Sequence, residues 1–220
     1  MNDHAVLFDL DGTLTDPKPG ITRSIQHALR ALGLPAPTED ELEWCIGPPL
    51  QVSFPRLLGS GDPSLVAQAI HHYRERFSTV GLFENALYDG VPEALQDLRA
   101  RGFRTYVATS KALVYAVRIV EHFGLAPLFD AVYGSELDGT RSDKGELIAH
   151  LMQVEGLSAA RTLMVGDREH DMVGGARNGL RCIGVTYGYG SEEELRQHGA
   201  ACLADGPQAL ASAVGMLFAE

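Results

Sequence analysis

Cysteine is scarce in this chain. Cys45, Cys182 and Cys202 are odd in number, far apart and outside any CxxC pair, which excludes a disulfide framework and a cysteine-held zinc site and leaves three core thiols. Positive charge is also in short supply. The 18 Lys and Arg against 29 Asp and Glu give a formal net charge of −11, and no basic run tracks a phosphate backbone, so a nucleic-acid polymer is not an expected partner. A small anionic substrate still fits that balance if positive charge is gathered locally, at a metal, a lysine or a helix N-terminus. No apolar stretch is long enough to span a bilayer, and the first strand signal begins so near Met1 that no secretory leader fits ahead of it. The expectation is a cytoplasmic protein acting on a small molecule, away from any membrane. Disordered and low-complexity tracts are missing too. With 45% hydrophobic and 21% charged residues the profile is ordinary for a globular protein, and 220 residues suffice for one sizeable core with a smaller second domain.

The residues that are present are organised around the stretch 5–16, AVLFDLDGTLTD. Ala5, Val6, Leu7 and Phe8 show no alternation, the pattern of a strand buried on both faces of a parallel sheet, and such a strand is normally central. Asp9 then stands at its carboxyl end, where open α/β sheets place their ligands, and Asp11 leaves from the same edge. Two carboxylates in one crevice raise each other's pKa and need a cation. Oxygen donors with no nearby Cys and no clear His pair favour a hard ion, Mg²⁺ over zinc. Alone, the motif is equally compatible with a strand stopped by an Asp-Gly turn.

Past Asp16 the texture changes. DPKPG breaks the chain, and Ile21, Ile25, Ala28, Leu29 and Leu32 recur at helical spacing up to Gly33. Thr38 with Glu41 forms a capping box for a second helix, which carries Leu42 and Ile46 and stops at IGPPL. Residues 50–58 make a third, and Asp62-Pro63 starts a fourth with the stripe Val66, Ala69, Ile70, Tyr73 and Phe77. From Val91 helices and strands alternate: helix 92–101, strand 103–109, helix 113–123, a strand near Ala131, helix 146–154, strand 162–165, helix 172–178, strand 182–185, a late helix capped by Ser191 and Glu194, and a last helix 207–218. This predicts an α/β fold, a doubly wound parallel sheet of Rossmann-like type with right-handed crossovers, built from residues 1–16 and 83–220. Residues 17–82 are inserted as a helical domain whose tethers leave beside the acids. It is either a cap that closes over the crevice and excludes water or a rigid subdomain.

Three later strand ends carry matching chemistry. TYVATSK finishes in Thr109 and Ser110, hydroxyls suited to a phosphate or to capping a helix. GTRSDKGELI puts Lys144 at a helix start, where the dipole disfavours a cation unless an anion sits there. TLMVGDREHDMVGGARNG ends a buried strand in Gly166-Asp167, with Asp171 four residues on and Gly174-Gly175 permitting close packing. A cap or turn explains each of these residues singly. It does not explain four acids, a hydroxyl and a lysine all at the expected carboxyl ends of parallel strands. In this order, DLDGT, a hydroxyl-ended strand, lysine and GDxxxD resemble the haloacid dehalogenase superfamily of aspartate-nucleophile phosphohydrolases over essentially the whole chain. The insertion after the first motif matches the subgroup with a cap there, and DGTLTDPKPGI, IGPPL and GSELDGTRSDK look most like its phosphoglycolate phosphatase-like branch.

The resemblance implies a Mg²⁺-dependent phosphatase acting on a small phosphate monoester (phosphoglycolate, a nucleoside monophosphate or a sugar phosphate), as a monomer or homodimer. Carried over by position, Asp9 is the nucleophile that forms an aspartyl-phosphate, and Asp11 is the acid that protonates the leaving alkoxide and then the base that activates water. Metal ligands are Asp9, the backbone carbonyl of Asp11 and Asp167, with Asp171 either holding a metal-bound water or ligating directly. Thr109 and Lys144 hold the transferring phosphoryl group, with backbone N–H groups of Gly12 and Ser110. Substrate choice falls to the cap, where Lys18, Arg23 and the turn 46–50 are candidates beside their plainer readings as a surface lysine, an exposed helical arginine and a stiff loop. Arg141 and Arg168 either meet substrate or pair with neighbouring acids, and His170 is a solvent-facing filler. A phosphomutase keeps every one of these motifs. A phospho-receiver domain also uses Asp, Thr and Lys, but lacks the acid two residues after the phosphorylated one and the helical insertion.

Overall fold

The computed structural model describes residues 3–219. In chain order its strands are Ala5–Phe8 (β1), Thr15–Asp16 (β2), Ala86–Leu87 (β3), Arg104–Ala112 (β4), Ala131–Ser135 (β5), Thr162–Gly166 (β6), Arg181–Val185 (β7) and Ala200–Ala204 (β8). The α-helices are Lys18–Ala31 (α1), Leu50–Leu58 (α2), Pro63–Phe77 (α3), Val91–Ala100 (α4), Leu113–His122 (α5), Lys144–Glu155 (α6), Glu169–Arg177 (α7), Glu192–Gln197 (α8) and Leu210–Ala219 (α9). Six strands form one sheet in the order β5-β4-β1-β6-β7-β8, every pairing parallel, while β2 and β3 make a separate two-stranded sheet. The unalternating run of β1 is accordingly central, and all four of its residues are fully buried.

Alternate residues of the strands feed two apolar layers, because successive side chains point to opposite faces. Ala5, Leu7, Tyr106, Ala108, Met164 and Cys182 pack with Leu147, Ile148 and Leu151 of α6 and Met172 of α7. Val6, Phe8, Val107, Leu163, Val165 and Ile183 are buried as well, on strands that also contact α4, α5 and α9. The register levels the carboxyl ends of the three central strands: Phe8 pairs with Val107 and with Val165, and the Asp9 N–H donates to the Val165 carbonyl at 2.9 Å. The chain leaving β1, β4 and β6 therefore emerges at one edge, the place where such sheets put their chemistry.

The chain divides into two compact units, residues 1–16 with 87–220 and residues 17–86. Residues 83–86 group with the helices because Glu84 accepts from Arg76 at 2.7 and 3.0 Å and from Arg23 at 3.2 Å. In the helical unit α1 buries Ile21, Ile25, Ala28 and Leu29, and α3 buries Ala69, Ile70, Tyr73 and Phe77, the last two stacked at 5.1 Å. Asp62 caps α3 by accepting the Ser64 N–H at 2.9 Å.

Two expectations are corrected. The capping box of Thr38 and Glu41 forms, with bonds of 2.8 and 3.3 Å, but it opens a six-residue 3₁₀ stretch, Asp40–Cys45, in place of an α-helix. Gly47 at φ +100° turns the chain just after it, and Pro48-Pro49 supply no donors to continue. β8 has no counterpart in the sequence reading. It is a half-buried edge strand, and AACLA carries no β-branched or aromatic residue to mark it as a strand. Among the described residues no helix is long and apolar enough to cross a membrane.

Candidate active site

Asp9 and Asp11 emerge from β1 into a tight turn in which Leu14 and Thr15 both donate to the Leu10 carbonyl, at 2.9 and 3.0 Å. Gly12 sits in this turn at φ +83°, and a Cβ there would lie 2.1 Å from Asp167 Oδ2. Both the backbone and the closeness of the second acid require glycine at that point. On the far side, β6 runs directly into Asp167, and Asp171 folds back in the first turn of α7 to accept the Arg168 N–H through Oδ2 at 3.1 Å. Gly166 makes room for it, since a Cβ there would fall 2.2 Å from Asp171 Cγ.

Lys144 opens α6, and its ammonium is inside the crevice with 4% of the side chain exposed. Nζ is 2.8 Å from Asp9 Oδ1, 2.8 Å from Asp171 Oδ1, and donates to the Ala108 carbonyl at 2.9 Å. Gly174 lets the lysine stem pass, for a Cβ there would meet Lys144 Cγ at 2.8 Å. Asp167 is held separately: Oδ2 accepts the Tyr189 N–H at 2.8 Å and Oδ1 faces the Thr13 hydroxyl at 3.5 Å. Carboxylate oxygens of Asp9, Asp167 and Asp171 all lie within 4.8 Å of one another.

Burial of these like charges sets the electrostatics. Desolvation, with Asp171 and Asp9 adding to it, pushes the Asp167 carboxyl well above its ordinary range. Burial also raises Asp171, against the opposing pull of Lys144, and raises Asp11, against the pull of Lys111. For Lys144 burial works against the charge, but Asp171 and Asp9 outweigh it and lift the pKa above the usual lysine value. Asp9 Oδ1 and Asp171 Oδ1 accept no aligned hydrogen bond although both are buried. Three converging carboxylates, two of them with such oxygens and all of them hard donors, fit a divalent cation that prefers oxygen.

Of the residues singled out by sequence, Asp9, Lys144, Asp167 and Asp171 meet in this cluster. Thr109 is buried in β4, paired with Gly134 just before the register shifts, and Ser110 comes next with its carbonyl accepting from Ser135 Oγ at 2.9 Å. The Asp11 carboxylate points elsewhere, to Lys111, whose Nζ is 2.8 Å from Oδ2. Gly12 donates its N–H to the Thr15 carbonyl at 2.8 Å. Lys18 is held by Asp40, at 2.6 Å, and by Glu43, and Arg23 by Glu39 and Glu84 at 2.9 and 3.2 Å, all within the helical unit. Arg141 and Arg168 pair with Glu136 and Glu194. His170 is partly buried, not solvent-facing, and burial lowers its imidazole pKa.

Sequence reasoning missed two contributors. Lys111 comes directly after Thr109-Ser110, a nearness the sequence shows, but the bulge that aims its ammonium at Asp11 is not readable there. The loop YGYG, residues 187–190, was the other. Gly188 and Gly190 come so close to Asp167 that Cβ atoms there would lie 2.4 Å from its Cβ and 2.0 Å from its carbonyl oxygen, while Tyr189 bonds Asp167 by its N–H and Asp16 by its hydroxyl.

Comparison with known proteins agrees with this geometry. The chain is 55% identical over 193 residues to a 5′-nucleotidase of Pseudomonas aeruginosa, covering 88% of this chain and 87% of that one. It is 42% identical over 185 residues to the tyrosine-protein kinase PtkA of Mycobacterium tuberculosis, spanning 84% of this chain but 62% of that protein's length. A crystal structure described as a predicted phosphatase from Clostridium acetobutylicum superposes with a TM-score of 0.94 at 40% identity, over 98% of this chain and 100% of the other. Residues 6–185 match the haloacid dehalogenase-like hydrolases, and the chain belongs to that family.

Proposed function

We propose that the chain is a Mg²⁺-dependent phosphatase that hydrolyses small phosphate monoesters through an aspartyl-phosphate on Asp9. The observation that carries this is the convergence of Asp9, Asp167, Asp171 and Lys144 at one buried sheet edge. An Asp9 oxygen attacks phosphorus in line while the ester oxygen departs on the opposite side. Asp11 gives that oxygen its proton, then takes one from the water that cleaves the acyl phosphate. Lys144 and Thr109, with the Ser110 backbone, hold the phosphoryl oxygens. Asp9, the Asp11 carbonyl, Asp167 and Asp171 would hold Mg²⁺, which when bound neutralises charge on the phosphoryl group.

The nucleotidase relative favours a nucleoside monophosphate among the candidate substrates. Lys18 and Arg23, each already paired with acids, are the candidates for selecting the leaving group. Three thiols outside any disulfide support a reducing, cytoplasmic setting.

Phosphate release from nucleoside 5′-monophosphates with Mg²⁺ tests the reading. Release is expected to stop with chelator and to fall to background in Asp9→Asn. Turnover that persists in Asp9→Asn contradicts the nucleophile. A long-lived phosphoprotein without turnover marks a receiver, and isomerisation of a sugar phosphate faster than hydrolysis marks a mutase.

A further inference from the structure

Two buried lysines enter the crevice, and between them they hold three of its four acids. Lys144 serves Asp9 and Asp171, while Lys111 Nζ lies 2.8 Å from Asp11 Oδ2, with the two side chains 7% and 9% exposed. The other Asp11 oxygen is buried and has no hydrogen-bond partner among the described residues. Lys111 therefore anchors the carboxyl by one oxygen and leaves the second for another partner.

The aim of Lys111 is built into the sheet. β4 and β5 pair in step up to Thr109 with Gly134, and the next pair is Ala112 with Ser135, so Ser110 and Lys111 are extra residues on β4. Such bulges bend a strand and re-aim its side chains. This one is pinned by the Lys111 N–H donating to Thr109 Oγ1 at 3.3 Å and by Ser135 Oγ donating to the Ser110 carbonyl at 2.9 Å. It fits only because Gly134 has no side chain: a Cβ there would lie 2.6 Å from the Lys111 carbonyl oxygen and 2.9 Å from Leu113 Cα.

We infer that Lys111 is a positioning residue for the leaving-group side of the reaction, its ammonium holding the Asp11 carboxyl where it protonates the departing oxygen. The inference rests on the phosphatase reading. In the step concerned the Asp9–phosphorus bond forms, the phosphorus–ester oxygen bond breaks, and its electron pair stays on the ester oxygen, which takes the proton of Asp11. The negative charge that this leaves on Asp11 faces Lys111, so the contact strengthens as the proton departs.

Leaving groups separate this role from a structural one. An alkyl ester needs its oxygen protonated, whereas p-nitrophenolate departs with little help. The rate of leaving-group release in a single turnover, with enzyme in excess and Mg²⁺ present, is to be measured on a nucleoside 5′-monophosphate and on p-nitrophenyl phosphate, because this step ends at the aspartyl-phosphate and excludes the water step that both esters share. Lys111→Met is expected to lower that rate on the nucleotide by about 10²-fold or more, the usual worth of general acid catalysis, and on the aryl ester by a clearly smaller factor. Lys111→Arg recovers part of the nucleotide rate. Asp11→Asn shows the same selective loss, and adding Lys111→Met to it costs little more, because the two residues act as one unit. Gly134→Ala, which displaces the bulge and with it Lys111 while keeping both side chains chemically intact, shifts the ratio the same way by less, and keeps the test open should Lys111→Met fail to fold. Equal losses on both esters, or additive losses in the double variant, overturn the inference. If the wild type hydrolyses both esters and the ratio is unmoved by Lys111→Met, the inference falls alone; if the wild type releases phosphate from neither, the phosphatase reading falls with it.

Discussion

The α/β unit and the helical unit treat charge in opposite ways. The first buries Asp9, Lys144, Asp167 and Asp171 almost completely and points them at one another, and it buries Asp11 against Lys111. The second keeps Lys18, Arg23, Arg76 and their acidic partners at its surface, each paired with its neighbours. Desolvating a charge is expensive, and a half-made buried pair is worse than none. A fold keeps such a cluster only where something other than stability selects it, whereas surface pairs are nearly neutral and arise from composition. The contrast separates residues kept for chemistry from residues kept for solubility without any appeal to relatives.

Breaking the buried side should have the largest effect. Lys144→Met leaves Asp9 and Asp171 facing each other without their ammonium, and in chelator at pH 7 denaturant unfolding should show a loss of about 3–5 kcal/mol. A loss below about 1 kcal/mol would place Lys144 with the surface cations.

A smaller effect is expected from pH. The Asp167 carboxyl has a folded pKa above its unfolded value of 3.8, so between those values the folded state binds more protons than the unfolded one. Its contribution is therefore favourable at low pH and is lost as the pH rises through the folded pKa. In chelator, Asp167→Asn should gain thermal stability relative to wild type as the pH is raised from about 4, and added Mg²⁺ should cancel the gain. A flat difference across that range would mean that the carboxyl is not raised.

The smallest effect belongs to the helical unit. Lys18→Ala removes a partly exposed amine from Asp40 and Glu43 and should cost less than about 1 kcal/mol. The same variant sharpens the contrast, because a rise in KM with Tm unchanged would move Lys18 from a surface pair to a substrate contact.

How much of this was legible depended on whether a local pattern carried the information. AVLF announced a central strand because burial on both faces leaves a continuous apolar run, and the two Asp-Gly and Gly-Asp strand ends marked the acids because turns there are short and chemically restricted. β8 was overlooked because its run AACLA has no β-branched or aromatic residue that distinguishes a strand. Lys111 was overlooked because its direction depends on a bulge that Gly134 permits from a neighbouring strand, a relation between positions far apart in sequence. Tyr189 was overlooked for a similar reason: its amide holds Asp167, and its sequence position says nothing of that until β6 and β7 pair.

The central claim is that Asp9 carries the phosphoryl group during turnover. Wild-type enzyme with Mg²⁺ and a nucleoside monophosphate, quenched in acid in the steady state and digested for mass spectrometry, tests it most directly. The account predicts a phosphorylated peptide containing Asp9, abolished in Asp9→Asn together with phosphate release. A phosphoryl group found on another residue, or steady release of phosphate by Asp9→Asn, would contradict it.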